Sequence, residues 1–106
     1  MSAYKISIVC PVYNSEEFLD EGFASIKGQT FPFEDLEIIF VDDHSTDRSP
    51  QILAGFAEQN SNVYVYESPA DKKGSGVARN VGMDKATADY LVLFDSDDIM
   101  NPTYLE

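Results

Sequence analysis

The residues from Val92 to Asp98 read Val-Leu-Phe-Asp-Ser-Asp-Asp, an apolar run that ends in Asp95, Asp97 and Asp98. An apolar run of this kind predicts a buried strand, with the carboxylates leaving its C-terminal end together, where their repulsion calls for a cationic partner. A hard divalent ion, Mg²⁺ or Mn²⁺, fits an all-oxygen set and is usually held by one or two carboxylates plus the phosphates of a substrate. The plainer reading is an acidic turn at a solvated strand end. A second carboxylate pair, Asp42 and Asp43, follows the apolar run Leu36 to Val41 and precedes His44. That pair reads as a metal pair, as a nucleoside-recognising carboxylate beside a helix-capping neighbour, or as a turn; a carboxylate can accept from ribose hydroxyls or from a uracil ring N–H. A lone His in a polar turn is more often a bystander than a ligand. After the run Ile6 to Cys10 come Pro11, Val12, Tyr13 and Asn14, and Tyr13 could stack on a base or pack at a rim. Gly74-Ser75-Gly76 lacks the full spacing of a phosphate-cradling loop. Arg79, just beyond it, suits phosphate or carboxylate oxygens, or a structural salt bridge to one of the aspartates.

Four strands are predicted to carry these groups: Ile6 to Cys10, Leu36 to Val41, Val63 to Tyr66 and Tyr90 to Phe94, each rich in β-branched or aromatic residues. Between the first two, Phe18, Leu19, Phe23 and Ile26 share a helical face, with Asn14 and Glu17 spaced as a near capping box. Ile52, Leu53, Phe56 and Ala57 mark a second helix, with Ser45, Thr46 and Asp47 as cap candidates and Pro50 in its first turn. Val77, Ala78 and Val81 mark a third, with Ser75 as its cap, and a further helix is expected near Pro102. The stretch from Ser68 to Gly76 reads as a mobile surface loop. Strand and helix alternate throughout, so the fold class is α/β: a mostly parallel open sheet, Rossmann-like, with flanking helices. In such sheets ligands bind beyond the carboxyl ends of the strands, where the polar clusters fall.

One domain fits 106 residues. A formal charge of -12, from nineteen acidic and seven basic residues, makes nucleic acid and anionic membrane surfaces poor partners. The single Cys10 lies in an apolar run, where it reads as a small buried hydrophobe in a reducing, cytoplasmic setting. No apolar run approaches the ~20 residues of a membrane span.

Taken together, these motifs resemble the N-terminal half of the family 2 glycosyltransferases of the GT-A fold, bacterial surface-glycan enzymes in particular. The likeness rests on Pro11-Val12-Tyr13-Asn14 with Glu16, Val41-Asp42-Asp43-His44-Ser45-Thr46-Asp47, Ala78-Arg79-Asn80-Val81-Gly82 and the D-x-D run Asp95-Ser96-Asp97-Asp98, in that order and spacing. It implies that Pro11 and Tyr13 border the base and that Asp43 accepts from the pyrimidine ring, with Asp42 a second candidate. Arg79 would contact the nucleotide side of the donor, Asp95 and Ser96 would lie along ribose and diphosphate, and Asp97 would hold Mn²⁺ or Mg²⁺. The implied reaction is inverting transfer from a nucleotide-diphosphate sugar, UDP-linked by preference, to a hydroxyl of a glycan or lipid-linked acceptor, in a full-length protein that associates with membranes. It needs a general base on the acceptor side, and the family places that base beyond Glu106. Residues 1–106 are thus expected to be the donor-binding half, inactive alone, with apolar faces that favour self-association as a homo-oligomer.

Two other enzyme types share parts of the pattern. A receiver domain uses an acidic pair and a third aspartate around Mg²⁺, but its acidic pair follows the first strand, and two further strands follow the phosphorylated aspartate. A haloacid dehalogenase phosphatase carries D-x-D near its start with Thr soon after; here Ile99 and Met100 stand in those positions. A non-catalytic nucleotide-binding module is the remaining class.

Overall fold

A computed structural model describes residues 3–72, 74–95 and 105. Four strands, β1 (Ile6–Val12), β2 (Leu36–Asp42), β3 (Val63–Glu67) and β4 (Tyr90–Leu93), form one parallel sheet in the order β3-β2-β1-β4. Helices α1 (Leu19–Lys27), α2 (Ser49–Gln59) and α3 (Ser75–Lys85) connect them, and a short 3-10 turn at Phe33–Asp35 leads into β2. The chain moves outward from β1 to β2 to β3, then returns across the sheet to place β4 on the other side of β1. Crossovers of one hand put helices on opposite faces when the direction reverses. Accordingly, among the described helices, α3 packs on one face and α1 and α2 on the other.

The sequence explains this layering. All seven residues of β2 are buried, as expected of a central strand covered on both sides. Ile8, Cys10, Val12, Ile38 and Phe40 point toward the α1–α2 side, where Leu19, Phe23, Ile26 and Leu53 meet them. Phe23 stacks on Phe56 with centroids 4.2 Å apart and meets Phe40 edge-on at 6.1 Å. The other face is thinner, with Val9, Ile39 and Val41 against Ala78. Gly82 lets α3 approach there, since a Cβ at that position would run into Val9 Cγ1. Cys10 is a buried member of the core.

The predicted strands all form, with ends shifted by one or two residues. Pro50 does occupy the first turn of α2. The helix starts differ more. Asn14 does not cap α1: the helix begins at Leu19, and the Ser15 carbonyl accepts from the Phe18 and Leu19 N–H groups at 2.9 and 3.2 Å. Phe18 is left outside the core, 46 % exposed. Ser75 is not the cap of α3 either, because that position falls to Gly74. The helix expected near Pro102 lies outside the described residues. Of that segment Leu105 is described: it is buried, and its N–H donates to Gln29 Oε1 at 3.1 Å.

Candidate functional site at the carboxyl end of the sheet

Two loops leave the carboxyl ends of β1 and β2 side by side and interlock. Strand pairing sets Val12 opposite Asp42, and the Asp43 N–H extends the ladder to the Val12 carbonyl at 2.8 Å. Beyond that point the ladder is replaced by side chains. Asn14 Oδ1 accepts from the Thr46 N–H at 2.7 Å and the Asp47 N–H at 3.3 Å, while the Asn14 N–H donates to Ser45 Oγ at 2.9 Å. The Ser15 N–H donates to Ser49 Oγ at 2.9 Å, and the Glu16 N–H to Asp47 Oδ2 at 3.2 Å. Asn14 and His44, with φ of 46° and 61°, turn each loop through the left-handed region that short polar side chains tolerate best.

Asp47 serves both loops. Its Oδ1 accepts from the Ser49 N–H at 2.8 Å at the start of α2. Desolvation pushes its carboxyl up, but hydrogen bonds from the Ser49 N–H and hydroxyl, the Glu16 N–H and its own N–H outweigh that and hold it below the usual carboxylate range.

The third loop is tied in by His44 and Asp43. His44 Nε2 lies 2.8 Å from the Lys72 carbonyl and 2.9 Å from the Pro69 carbonyl, so it must be the protonated nitrogen. The Lys72 contact is the main reason its pKa is raised; partial desolvation opposes it, and the Pro69 carbonyl, Asp43 and Asp42 add to it. Asp43 Oδ2 accepts from the Gly74 N–H at 2.7 Å, at the amino end of α3, where a carboxylate is favoured by the helix dipole. Gly74 has φ of 118°, which an L side chain rarely adopts. The stretch read as a mobile loop is therefore anchored at Pro69, Lys72 and Gly74, and His44 has a definite task in holding it.

Three buried polar atoms find no partner among the described residues: Asp42 Oδ1, Asp43 Oδ1 and Ser68 Oγ. All three sit at this end of the sheet, Asp42 closing β2 and Ser68 one residue beyond β3, tied by its N–H to the Asp42 carbonyl at 3.0 Å. An orphaned buried acceptor costs about 1–3 kcal/mol, so such atoms ask for an outside donor. Asp42 is otherwise held by the Ser45 N–H at 3.3 Å.

Of the other expected site residues, Pro11 is half-buried in β1, and Tyr13 projects from the rim, 59 % exposed. Asp95 is exposed two residues past Leu93, which pairs with Val9, and the Phe94 N–H reaches the Val9 carbonyl at 3.0 Å. The reversal of strand order lies between β1 and β4, so Pro11, Tyr13 and Asp95 flank the expected crevice. Arg79 is half-buried beside Ala78 and forms no ion pair among the described residues. Ser96 and Asp97 lie outside the described residues. Sequence reasoning overlooked Ser68 and the loop-to-loop work of Asn14, Asp47 and Ser49.

The model of glycosyl transferase family 2 matches residues 7–106. The chain belongs to that family. Residues 7–106 span all four motifs, and the receiver and dehalogenase readings fall away. The poly(ribitol-phosphate) beta-glucosyltransferase of Bacillus spizizenii is 47 % identical over 94 residues, which cover 89 % of this chain and 15 % of that protein. The crystal structure of S. aureus TarS 1-349 in complex with UDP-GlcNAc superposes with a TM-score of 0.83 at 35 % identity, covering 92 % of this chain and 28 % of that one. The mannosyltransferase PcManGT from Pyrobaculum calidifontis, solved with GDP-Man and Mn2+, gives a TM-score of 0.82 at 25 % identity over 98 % of this chain and 30 % of that one. The chain thus spans less than a third of the length of each of these relatives. The parallel sheet and its helices have the GT-A, Rossmann-like architecture of these neighbours.

Proposed function

We propose that residues 1–106 are the donor-binding part of an inverting glycosyltransferase that moves a sugar from a UDP-sugar to a hydroxyl of a bacterial surface polymer. The observation that carries this reading is the pair of buried, acceptor-only oxygens, Asp42 Oδ1 and Asp43 Oδ1, which need a ligand donor. A pyrimidine ring N–H meets Asp43, with Asp42 the second candidate, while Pro11 and Tyr13 border the base. Arg79 contacts the nucleotide, and Asp95 and Ser96 run along ribose and diphosphate. The relatives' names point the same way: one binds UDP-GlcNAc and another is named for poly(ribitol-phosphate).

No group of three His, Cys, Asp or Glu side chains among the described residues could enclose a metal alone. A magnesium or manganese ion takes one or two carboxylates and completes its shell with phosphates. Asp97 would hold it, near Asp95. Such an ion supplies Lewis-acid stabilisation of the leaving diphosphate. The chain's own residues bind and orient the donor; the acceptor-side base belongs to sequence beyond Glu106. A non-catalytic nucleotide-binding module is the rival, and sugar transfer by the full-length protein would decide against it.

Calorimetric titration with UDP tests the donor site. Binding is expected to require Mn²⁺ or Mg²⁺ and to vanish on chelation or in Asp97→Asn. Asp43→Asn is expected to keep the metal dependence while losing about 10- to 100-fold in UDP affinity, the value of one hydrogen bond to a charged acceptor at about 1.5–3 kcal/mol. Equal affinity after chelation would remove the metal from the reading, and identical behaviour of the two variants would remove the division of labour between them.

A further inference from the structure

We propose that Glu37, at the opposite end of the sheet from the site, is a positioning residue that sets the register of β4 and so the placement of Asp95. The functional half of this statement rests on the donor reading above; the structural half does not. Glu37 is 5 % exposed, between Leu36 and the apolar run Ile38 to Val41, and no Lys or Arg among the described residues pairs with it. An ionised carboxylate is costly to bury unless hydrogen bonds satisfy it. Here they do. Ser7 Oγ donates to Glu37 Oε1 at 2.6 Å, and the Thr87 N–H donates to the same oxygen at 2.8 Å. The Thr87 hydroxyl lies 3.2 and 3.1 Å from the two carboxylate oxygens. Ser7 Oγ in turn accepts from the Ala88 N–H at 3.1 Å.

Every one of these donors comes from β1 or from the turn between α3 and β4. Ser7 stands beside Glu37 on one side in the strand register and beside Leu91 on the other. The carboxylate therefore fixes Thr87 and Ala88 to β1 and β2 just before the chain enters β4 at Tyr90. β4 needs such an anchor. It has four residues, pairs with β1 alone among the described strands, and leaves Tyr90, Leu91 and Leu93 at 73 %, 40 % and 48 % exposure. Register is specified strongly by a buried face, and β4 offers only a thin one, Val92 and Phe94 partly buried against the α1–α2 core. A slip of one residue would move Asp95 by about 3.3 Å along the strand and turn it to the other face.

Glu37→Gln tests this, because it removes the charge that strengthens these bonds and replaces one acceptor oxygen with a donor. Hydrogen exchange should speed at least about tenfold for the β4 amides and for the Phe94 N–H, while the β2–β3 pairing keeps its protection. Metal-dependent UDP affinity should fall about tenfold, and affinity for uridine, met by the loops of β1 and β2, should stay unchanged. If Glu37→Gln does not fold, Thr87→Val, which removes one hydroxyl from an exposed residue, should change β4 exchange in the same direction by about threefold. Faster β4 exchange with unchanged UDP affinity supports the clamp and counts against donor placement at β4. Unchanged β4 exchange, or a loss of protection spread evenly over the sheet, overturns the clamp whatever UDP does.

Discussion

Replacing Asn14 separates two contributions to the interlocked loops. Its Oδ1 holds the Thr46 N–H at 2.7 Å and the Asp47 N–H at 3.3 Å, and its backbone has φ of 46°. Hydrogen bonds of this kind contribute about 0.5–1.5 kcal/mol each, and Asn14 is exposed, so the lower half of that range applies. With the longer bond counted at about half the shorter, losing both costs about 0.75–1.5 kcal/mol. Alanine adds the penalty of the left-handed region, about 1–2 kcal/mol, which glycine escapes. Asn14→Ala should therefore destabilise the protein by about 1.75–3.5 kcal/mol and Asn14→Gly by about 0.75–1.5 kcal/mol, before the extra chain entropy of glycine. Equilibrium urea unfolding resolves the difference if the m-value is unchanged. UDP titration of the folded variants should show weaker binding in both, because Tyr13 and Asp43 sit on the loops that Asn14 joins. Ala and Gly variants of equal stability would refute the backbone part. Wild-type UDP affinity in both would refute the link between the loop clamp and the donor site.

His44 has a raised pKa in the folded protein, so its contribution to stability is fully present below the unfolded value of about 6.5 and is lost as pH rises through the higher folded value. The stability of His44→Ala, followed by urea unfolding across that window, should lack this fall; a parallel slope in wild type and variant would contradict the latch. Gly82→Ala would press a methyl group onto fully buried Val9. Overpacking of about 1–3 kcal/mol, set against about 1 kcal/mol of helix propensity, should leave the variant less stable by up to about 2 kcal/mol in the same assay.

What the sequence disclosed was local, and what it hid was contact between distant segments. β2 could be read because a strand covered on both faces must be apolar almost throughout, and the core face of α1 because Leu19, Phe23 and Ile26 repeat at helical spacing. The order β3-β2-β1-β4 could not, since alternation of strand and helix fixes parallel pairing without saying on which side of β1 the last strand lands. Asn14 shows the limit more sharply. With Glu17 three residues on, it has the spacing of a helix cap, yet its partners are 32 and 33 residues away, in the loop after β2.

The same reasoning explains why Glu37 and Ser68 went unread. A charge within Leu-Glu-Ile-Ile-Phe-Val is a signal, because a carboxylate at a buried position must find donors, but its donors at Ser7 and Thr87 are 30 and 50 residues away. Ser68 looked like loop composition until pairing of Asp42 with Glu67 carried it under the sheet end. Polar groups in this domain thus fall into two kinds. Glu37 is buried and satisfied, as a residue that holds strands in place must be. Asp42, Asp43 and Ser68 are buried with an atom unpaired among the described residues, all at the one end where three loops converge. A folded chain tolerates that concentration of unpaired polar atoms where a ligand can meet them, and this contrast between the two ends of one sheet is the physical ground for proposing a donor site at the carboxyl end.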